Sequence, residues 1–471
     1  MLRKFISSKI LENLEFQPTP AQVEMIQELG GFLASDNHSE VMMVKGYAGT
    51  GKTTLMNSLV ATLSSMKQKS ILLAPTGRAA KVLGAYTKMP AWTIHKKIYR
   101  QKSGKDGLGE FVLDRNLHKN TYFIVDEASM IGDRSPDQVF GSGDLLRDLL
   151  DFVEMGSDCR LILVGDTAQL PPVGLDISPA LSRERLEQFG YSVREIEMSD
   201  VIRQAGGSGI LSNATAIRNL ITKRVADYPE FSFDRFDDIT MISGAELLET
   251  ISASYDRYGT GETIVVTRSN KRANKFNAGI RSQILWREEQ VSSGDLLMVV
   301  KNNYFWKDGD KLLDFIANGD IMKVERVLGT EEAHGHQFAD VEVTLPDYNH
   351  LSLKVKILLD VIDLDAPSLD REQQRTLYMS VSEDYPEVEN RHQMAAKIAT
   401  DQYYNALQVK FAYAVTCHKS QGGQWKSVFL DLGFFTDEML SLDYLRWLYT
   451  AFTRASEHLY LVNLPRQFVP R

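Results

Sequence analysis

The sequence predicts an α/β protein with two parallel-sheet units, the second of which is interrupted by a small barrel-like antiparallel insert. Short apolar runs alternate with helical patterns through the first two hundred residues, and the alternation returns after residue 191 and again after residue 405. Between about residues 291 and 358, short alternating runs are separated by Gly, Asn and Asp instead. The first pattern is typical of a parallel sheet covered by helices, and the second of antiparallel strands.

Length and composition predict a globular protein of several domains. The chain has 471 residues, 43% of them hydrophobic and 24% charged, with a formal net charge of −9. Domains of ~100–200 residues would give two to four of them. The acidic balance argues against a surface coated with basic residues, although a local basic groove can still bind nucleic acid.

Cysteine usage and hydropathy predict a cytoplasmic protein. Two cysteines, Cys159 and Cys417, allow no disulfide framework and no zinc-ligand spacing, so we expect packed thiols in a reducing compartment. The N-terminus lacks the continuous apolar region of a secretory signal, and no run of ~18 apolar residues predicts a membrane-spanning helix.

Buried strands of the first unit are predicted from apolar runs at residues 41–45, 70–74, 122–125 and 160–164. In the second unit we predict a strand at 263–267 and a helix carrying Asn270, Asn274 and Asn277. The insert contains LLMVVKN, DIMKVERVL, DVEVTL and LSLKVKILL. Residues 365–406 are predicted to be helical, charged and mobile, after which FAYAV and VFLDL resume the α/β pattern.

A complete phosphate-binding motif, G-x-x-x-x-G-K-[ST], follows strand VMMVK and opens the helical pattern TLMNSLVATL. Glycines let the backbone approach phosphates, and loop amides at a helix N-terminus attract anions. Lys52 is predicted to bridge the β- and γ-phosphates of ATP, and the Thr53 hydroxyl to bind Mg²⁺. The alternative, an accidental glycine-rich turn, is disfavoured by the flanking strand and helix. The predicted nucleotide contacts here are Gly46, Ala48, Gly49, Thr50, Gly51, Lys52, Thr53 and Thr54.

Three polar residues follow the other strands of this unit. Asp126 and Glu127 end the strand at 122–125, and we assign Asp126 to Mg²⁺ and Glu127 to the attacking water. An acidic helix cap is the alternative for this pair. Gln169 in GDTAQLPP can sense the γ-phosphate, unless the segment is a turn stiffened by two prolines. Arg203 and Arg454 lie further along the chain and could either stabilise phosphoryl transfer or form surface ion pairs.

The chain carries, in order, GYAGTGKTT, APTGRAAKVL, TIHKKIY, VDEASM, GDTAQLPPV, VIRQ, YAVTCHKSQGGQW and LYTAFTRASEHLYLV. This set resembles superfamily 1 helicases, most of all the Dda and RecD branch (superfamily 1B), whose members move 5′ to 3′ on single-stranded DNA. The resemblance covers residues 17–462. It implies two RecA-like domains with ATP between them, a β-hairpin insert in the first and an SH3-like β-barrel insert in the second.

The resemblance also implies domain boundaries. RecA-like domain 1A is expected at 1–190, with the hairpin insert 1B at 97–119 acting as a duplex-splitting wedge. Domain 2A is expected at 191–290 and 405–471, and the SH3-like and helical insert 2B at 291–404, with NGD at 318–320 as part of the likeness. Gly104, Gly107 and Gly109 would lie at a flexible hairpin tip, for which a disordered surface loop is the alternative.

Carried over by motif, the nucleotide roles extend beyond the phosphate-binding loop. Gln22 in PTPAQ matches the glutamine that reads the adenine edge, Gln169 matches the coupling glutamine, and Arg203 and Arg454 match the two arginines of the second domain. Gln424 stands where the family commonly has a glutamate that binds the ribose. Because an amide cannot accept two hydroxyl protons as a carboxylate does, we expect looser ribose selectivity.

On the DNA side, the resemblance implies contacts from hydroxyls and backbone amides to phosphates, and from aromatic rings to bases. Among the rings, Trp92, His95 and Tyr99 are candidate stackers, although for Tyr99 we expect a packed ring instead. The predicted DNA contacts are Pro75, Thr76, Arg78, Trp92, Thr93, His95, Thr416, His418 and Lys419.

The leading hypothesis is therefore an ATP-dependent 5′-to-3′ DNA helicase, active as a monomer on single-stranded DNA and tailed duplex DNA, with protein partners in repair or replication. An RNA helicase, or a RecD-like subunit of a DNA recombination or repair complex, is the alternative. A metabolite kinase sharing the phosphate-binding loop would not account for the second α/β half or for Arg203 and Arg454.

Overall fold

The computed structural model describes residues 1–14, 16–102, 110–133, 141–200, 207–233, 235–306, 315–348 and 350–469. The strands are β1 Glu40–Gly46, β2 Lys69–Ala74, β3 Ala91–Thr93, β4 Tyr99–Lys102, β5 Glu110–Leu113, β6 Thr121–Val125, β7 Arg160–Gly165, β8 Ser192–Met198, β9 Ile239–Ile242, β10 Thr263–Thr267, β11 Leu296–Val299, β12 Ile321–Ala333, β13 His336–Leu345, β14 Leu351–Leu358, β15 Leu407–Phe411, β16 Ala414–Thr416, β17 Trp425–Asp431 and β18 Ala455–Val462.

The α-helices are α1 Leu2–Glu12, α2 Pro20–Leu33, α3 Lys52–Ser65, α4 Gly77–Thr87, α5 Ile94–Ile98, α6 Leu145–Glu154, α7 Arg183–Gln188, α8 Gly209–Lys223, α9 Leu247–Tyr258, α10 Asn270–Gln283, α11 Arg371–Ser382, α12 Arg391–Ile398, α13 Cys417–Ser420 and α14 Leu442–Phe452. Within the described ranges, none of these helices combines the length and apolar character needed to cross a membrane.

Six parallel strands form the first sheet, in the order β3-β2-β6-β7-β1-β8. All four strands predicted for this unit are confirmed. Successive residues of β1 face different cores, since Val41 and Met43 belong to one apolar cluster and Met42 and Val44 to another. Burial on both faces explains why the central strands are continuous apolar runs.

The first sheet extends further along the chain than the expected boundary at residue 190. β8 pairs in parallel with β1, from Glu40↔Ser192 to Gly46↔Met198. Placing residues 191–290 together in the second unit was therefore wrong for this strand. β8 lies at an edge of the sheet and keeps several residues partly exposed, so its sequence SVREIEM mixes polar and apolar residues. It lacks the continuous apolar run of a central parallel strand.

A second parallel sheet has the order β16-β10-β17-β18-β9. β10 is the strand predicted at 263–267, and α10 is the predicted asparagine-bearing helix. The Asn277 side chain explains part of that pattern, because its amide donates to the carbonyls of Phe411 and Ala414 at 3.2 and 3.0 Å. This buried asparagine holds the helix against the point where the chain re-enters the second sheet.

The predicted antiparallel insert is a closed barrel of β11, β12, β13, β14 and β15, in agreement with the SH3-like expectation. Its last strand, β15, lies within residues 405–471, which were expected to belong entirely to the second sheet unit, so that boundary was wrong. The run FAYAV is split between β15 and β16. Tyr413 marks the crossing, where its hydroxyl donates to Asp295 at 2.9 Å. An apolar run fits a barrel and a buried sheet equally well, so the sequence pattern cannot separate them.

The predicted hairpin is present as β4 and β5, which pair antiparallel from Tyr99↔Leu113 to Lys102↔Glu110. Its expected tip, with Gly104, Gly107 and Gly109, lies outside the described residues. The Phe111 ring of β5 lies 4.2 Å, centroid to centroid, from the ring of Tyr304 beside the barrel. The hairpin therefore packs against the insert of the second unit.

Candidate functional site

The phosphate-binding motif lies between β1 and α3, at the carboxyl end of a central strand. Gly49 and Gly51 have φ angles of 76° and 82°, in the left-handed region that favours glycine. A Cβ on Gly46 would lie 2.8 Å from Lys52 Cγ. The glycines therefore let the loop fold tightly around the lysine stem, as close phosphate binding requires.

Lys52 and Gln22 both brace this loop. Lys52 Nζ donates to the carbonyls of Gly46 and Tyr47 at 2.6 and 2.9 Å. The buried Gln22 amide donates to the Thr50 carbonyl at 3.0 Å and accepts from the Thr19 amide at 3.0 Å, in a capping box at the start of α2. Both ends of the Gln22 amide are thus engaged within the protein, and its reading of adenine stays a prediction.

Asp126 and Glu127 follow β6 and lie next to the loop. The Asp126 carboxylate accepts from the Glu127 amide at 2.9 Å, and Glu127 has a left-handed φ of 54°. Burial raises the pKa of Asp126, and burial together with the Asp126 charge raises the pKa of Glu127, while Arg454 and Lys52 oppose the second shift. Two adjacent buried carboxylates repel each other, which a nearby cation would relieve.

Asp166 is a site residue that the sequence analysis did not single out, although it lies in the GDTAQLPP motif. Its carboxylate is buried, accepts from the Ala168 amide at 3.0 Å and from the Tyr449 hydroxyl at 2.8 Å, and lies 4.0 Å from Lys52 Nζ. The nearby Gln169 Oε1 is buried without a hydrogen-bond partner among the described residues. The coupling role of Gln169 stays a prediction.

The second sheet unit holds the segment that contains Asp166 through two further contacts. The Leu170 amide donates to Thr450 Oγ1 at 2.8 Å, and the Gln421 side chain donates to the Leu170 carbonyl at 2.7 Å. Because Leu170 belongs to the first unit and the other two residues to the second, movement between the units must break or shift these bonds.

Arg454, one of the two predicted arginines, is held by hydrogen bonds within the second unit. The Arg454 guanidinium is buried and donates to the carbonyls of Thr450 and Gly423 at 2.9 and 3.1 Å and to Thr453 Oγ1 at 3.1 Å. It is close enough to Glu127 to oppose the rise of that carboxyl's pKa. Arg203 lies outside the described residues.

A cavity of about 310 Å³ brings together most of the predicted DNA contacts. They come from the end of β2 and the start of α4, from the end of β3 and the start of α5, and from α13: Pro75, Thr76, Arg78, Thr93, His95, His418 and Lys419. The remaining wall was not predicted residue by residue and comes largely from the barrel unit: Met130, Met298, Asn302, Phe315, Ala317, Asn318, Gly319 and Gln421. The NGD motif at 318–320 was the one sequence signal for this wall.

Two predicted DNA contacts are not among the residues lining this cavity. Trp92 lines a neighbouring groove of about 430 Å³, with Lys97 Nζ 5.3 Å from its ring centroid. Thr416 ends β16, where it pairs with Thr267, and it directly precedes α13. Tyr99 is a packed ring as expected, since it is buried and its hydroxyl donates to Asp148 at 2.7 Å.

Two cationic side chains, Arg78 and Lys419, line the cavity. The Lys419 ammonium is buried and, unlike the Arg78 guanidinium, has no hydrogen-bond partner within the described parts of the chain. Burial, and to a lesser degree Lys410, lowers the pKa of Lys419 to about 8. Burial also lowers the pKa of His95 to about 4, which keeps that ring neutral at pH 7. A phosphate entering the cavity would therefore meet a desolvated cation, with which it can form a charge-assisted hydrogen bond.

Arg78 combines a place in the cavity wall with a contact between the units. Its guanidinium carbon lies 3.9 Å from the Trp425 ring centroid, and its Nη2 donates to the Gln424 carbonyl at 3.0 Å. The Gln424 residue itself is exposed. Its proposed contact with the ribose stays a prediction.

Comparison with known proteins gives two family matches in the order that the motifs suggest. Residues 19–228 match an AAA domain, and residues 411–462 match a UvrD-like helicase C-terminal domain. The chain is 31% identical over 200 residues to the ATP-dependent RecD2 DNA helicase of Deinococcus radiodurans, covering 42% of this chain and 24% of that protein. It is 26% identical over 297 residues to the ATP-dependent DNA helicase dda of Enterobacteria phage T4, covering 60% of this chain and 62% of that protein.

Among solved structures, a Pif1 helicase from Bacteroides in complex with ADP-AlF3 and single-stranded DNA has 16% identity and a TM-score of 0.46, over 97% of this chain and 95% of that chain. Of the two curated relatives, the chain matches about a quarter of the length of the RecD2 helicase and less than two thirds of the length of the phage helicase. The two domain matches and the helicase relatives agree with the motif order and with the two-sheet architecture. Together, the two domain matches and these relatives support a superfamily 1 DNA helicase of the Dda and RecD-like branch.

Proposed function

We propose that this protein is an ATP-dependent helicase and translocase that moves 5′ to 3′ on single-stranded DNA and unwinds tailed duplexes as a monomer. The position of Gln421 carries the proposal. It lines the predicted DNA cavity and donates to the Leu170 carbonyl at 2.7 Å. Leu170 ends the short segment that begins at Asp166, beside Lys52. Gln421 therefore connects the predicted DNA cavity to the segment that carries Asp166 beside Lys52, a route by which bound DNA would influence ATP turnover.

In the proposed reaction, the loop from Gly46 to Thr54 holds the ATP phosphates, and Lys52 turns toward them. Thr53 and Asp126 would hold Mg²⁺, whose charge neutralises the phosphate oxygens. The donor types fit, because Mg²⁺ prefers oxygen ligands and usually takes one or two carboxylates together with substrate phosphates.

The remaining chemistry falls to three charged residues. Glu127 would orient the attacking water and accept its proton, since its raised pKa makes it a better base than an ordinary carboxylate. Arg454 and Arg203 would stabilise the charge that develops on the transferred phosphoryl group. For Arg454 this requires its guanidinium to leave its present carbonyl partners, which a closing movement of the two units could bring about.

Unwinding would take place at the hairpin formed by β4 and β5. The contact of Phe111 with Tyr304 supports this role, because a wedge must be braced against the strand that it separates. The single strand would pass between the two sheet units and the barrel, through the cavity that contains Lys419 and His95.

The test is strand displacement by the purified monomer on 5′-tailed and 3′-tailed DNA duplexes at matched salt, with ATPase rates measured with and without single-stranded DNA. We expect strong stimulation by DNA and unwinding of the 5′-tailed substrate. Stimulation by RNA instead of DNA would point to an RNA helicase. ATPase activity without strand displacement would favour a RecD-like subunit of a larger complex. DNA-independent turnover as fast as the stimulated rate would contradict the proposal.

A further inference from the structure

One tyrosine hydroxyl connects the two sides of the nucleotide cleft. Tyr449 lies on α14 of the second sheet unit and is 1% exposed. Its hydroxyl accepts a hydrogen bond from the Ala48 amide of the phosphate-binding loop at 2.8 Å, and donates one to Asp166 Oδ2 at 2.8 Å. The hydroxyl therefore donates one hydrogen bond and accepts another, and both bonds cross the boundary between the units.

The acceptor of this link lies close to the catalytic lysine. Asp166 Oδ2 is 4.0 Å from Lys52 Nζ, and Asp166 Oδ1 accepts from the Ala168 amide at 3.0 Å. Burial, and then the neighbouring Asp166 charge, raises the pKa of the Tyr449 phenol well above its ordinary value, so the hydroxyl remains a donor. A shift of α14 would change where the Asp166 carboxylate lies and how strongly it attracts Lys52.

We propose that Tyr449 is a positioning residue that sets the Ala48 amide and the Asp166 carboxylate relative to Lys52, so that ATP turnover depends on the position of α14. This inference rests on the proposed ATPase activity and adds a residue to it. α14 ends at Phe452, two residues before Arg454, so the same helix carries the tyrosine and leads into the predicted catalytic arginine. Closure of the cleft would then align the loop, the lysine and the arginine together.

The decisive variant is Tyr449→Phe, which keeps the packed ring and removes the hydroxyl. A hydrogen bond to a charged group in a buried site contributes enough that its loss should lower the DNA-stimulated kcat by about tenfold or more. We expect the KM for ATP to stay within twofold, because the remaining loop amides and Lys52 still bind the nucleotide. Steady-state ATPase rates across ATP concentrations, at saturating single-stranded DNA, give both constants.

Tyr444 provides the matched control on the same helix. It is 3% exposed, and its hydroxyl has no hydrogen-bond partner in the parts of the chain that the structure describes. We expect Tyr444→Phe to keep kcat within twofold of the wild type. A wild-type protein without ATPase activity would overturn the proposed function itself. An active wild type with an equally active Tyr449→Phe, or an equal loss in both variants, would overturn this inference.

A double-mutant cycle tests whether the hydroxyl acts through the carboxylate. Asp166→Asn weakens the same link from its other end, so it also tests the inference if Tyr449→Phe does not fold. We expect Asp166→Asn to lower kcat, and Tyr449→Phe to lower it less than twofold further in the Asp166→Asn background. Independent losses that multiply in the double variant, or full activity of Asp166→Asn, would contradict the link.

Discussion

The guanidinium of Arg78 lies over the indole of Trp425, with its central carbon 3.9 Å from the ring centroid, and so joins the two sheet units. Arg78 can come this close to Trp425 because the neighbouring residue 423 is glycine. A Cβ on Gly423 would lie 2.6 Å from the Trp425 ring and 2.8 Å from Arg78 Nε. The family resemblance implies that Arg78 contacts DNA. The structure adds that whatever moves this arginine also changes a contact between the units.

Replacing Arg78 with lysine should weaken DNA-dependent activation. A lysine keeps the charge but loses the planar fork that stacks on the indole and reaches the Gln424 carbonyl, a loss of ~0.5–2 kcal/mol. We expect the concentration of single-stranded DNA that half-activates the ATPase to rise severalfold. Arg268→Lys is the control, because Arg268 lies over Tyr444 and Trp447 within the second unit. Equal effects of the two variants would argue against a special role for the contact between the units.

Lys52→Ala should abolish ATP hydrolysis and leave the fold intact. The lysine is the predicted phosphate-bridging charge. Its present partners are two carbonyls of its own loop and, at 4.0 Å, the Asp166 carboxylate, so its loss removes little packing. ATPase assays and thermal unfolding together check this. Lys426→Ala removes an exposed ion pair with Glu457 and should keep wild-type activity. Residual turnover by Lys52→Ala close to that of the wild type would mean that the phosphates bind elsewhere.

Lys419→Met should weaken binding of single-stranded DNA and lower the salt dependence of binding by about one phosphate contact. The Lys419 ammonium is charged below its pKa of about 8 and loses its proton above it. The affinity of the wild type should therefore fall as pH rises beyond about 8, whereas the variant should show a weaker dependence. Fluorescence anisotropy over a grid of salt and pH measures both effects. Identical salt slopes would exclude Lys419 from phosphate binding.

Asp320 should make stability depend on pH near neutrality. Burial raises the pKa of this carboxyl to about 7, while its Oδ2 accepts from the Ala317 amide and the Tyr348 hydroxyl. Between about pH 4 and pH 7 the folded protein holds a proton that the unfolded chain has lost, so this contribution to stability declines as pH rises through 7. A Cβ on Gly77 would lie 2.5 Å from Asp320 Oδ1, so the group also touches the first unit.

The matching experiment compares thermal unfolding of the wild type and Asp320→Asn from pH 5 to pH 8. Because the amide does not ionise, the difference between the two proteins isolates the Asp320 carboxyl from the other titrating groups. We expect the wild type to lose stability relative to the variant as pH rises, by an amount on the order of 1 kcal/mol or more. A difference that stays constant with pH would show that Asp320 titrates normally.

The candidate nucleotide site could be predicted from contiguous stretches of sequence. The loop from Gly46 to Thr53 is contiguous, its glycines permit the required backbone angles, and the strand before it is a continuous apolar run, so neighbouring residues carry the whole signal. The same holds for Asp126 and Glu127 at the end of β6. The motif order was enough to indicate the helicase resemblance and to name seven of the residues that line the predicted DNA cavity.

The pairing of distant segments, and the side-chain contacts across the cleft, became visible in the folded chain alone. β8 joins the first sheet and β15 closes the barrel. These pairings could not be predicted, because neither the polar edge strand nor the short apolar run indicates which strand it pairs with. The link from Ala48 through Tyr449 to Asp166 joins residues hundreds of positions apart. Such contacts depend on how whole units pack against one another, a long-range property to which no local pattern of residues is sensitive.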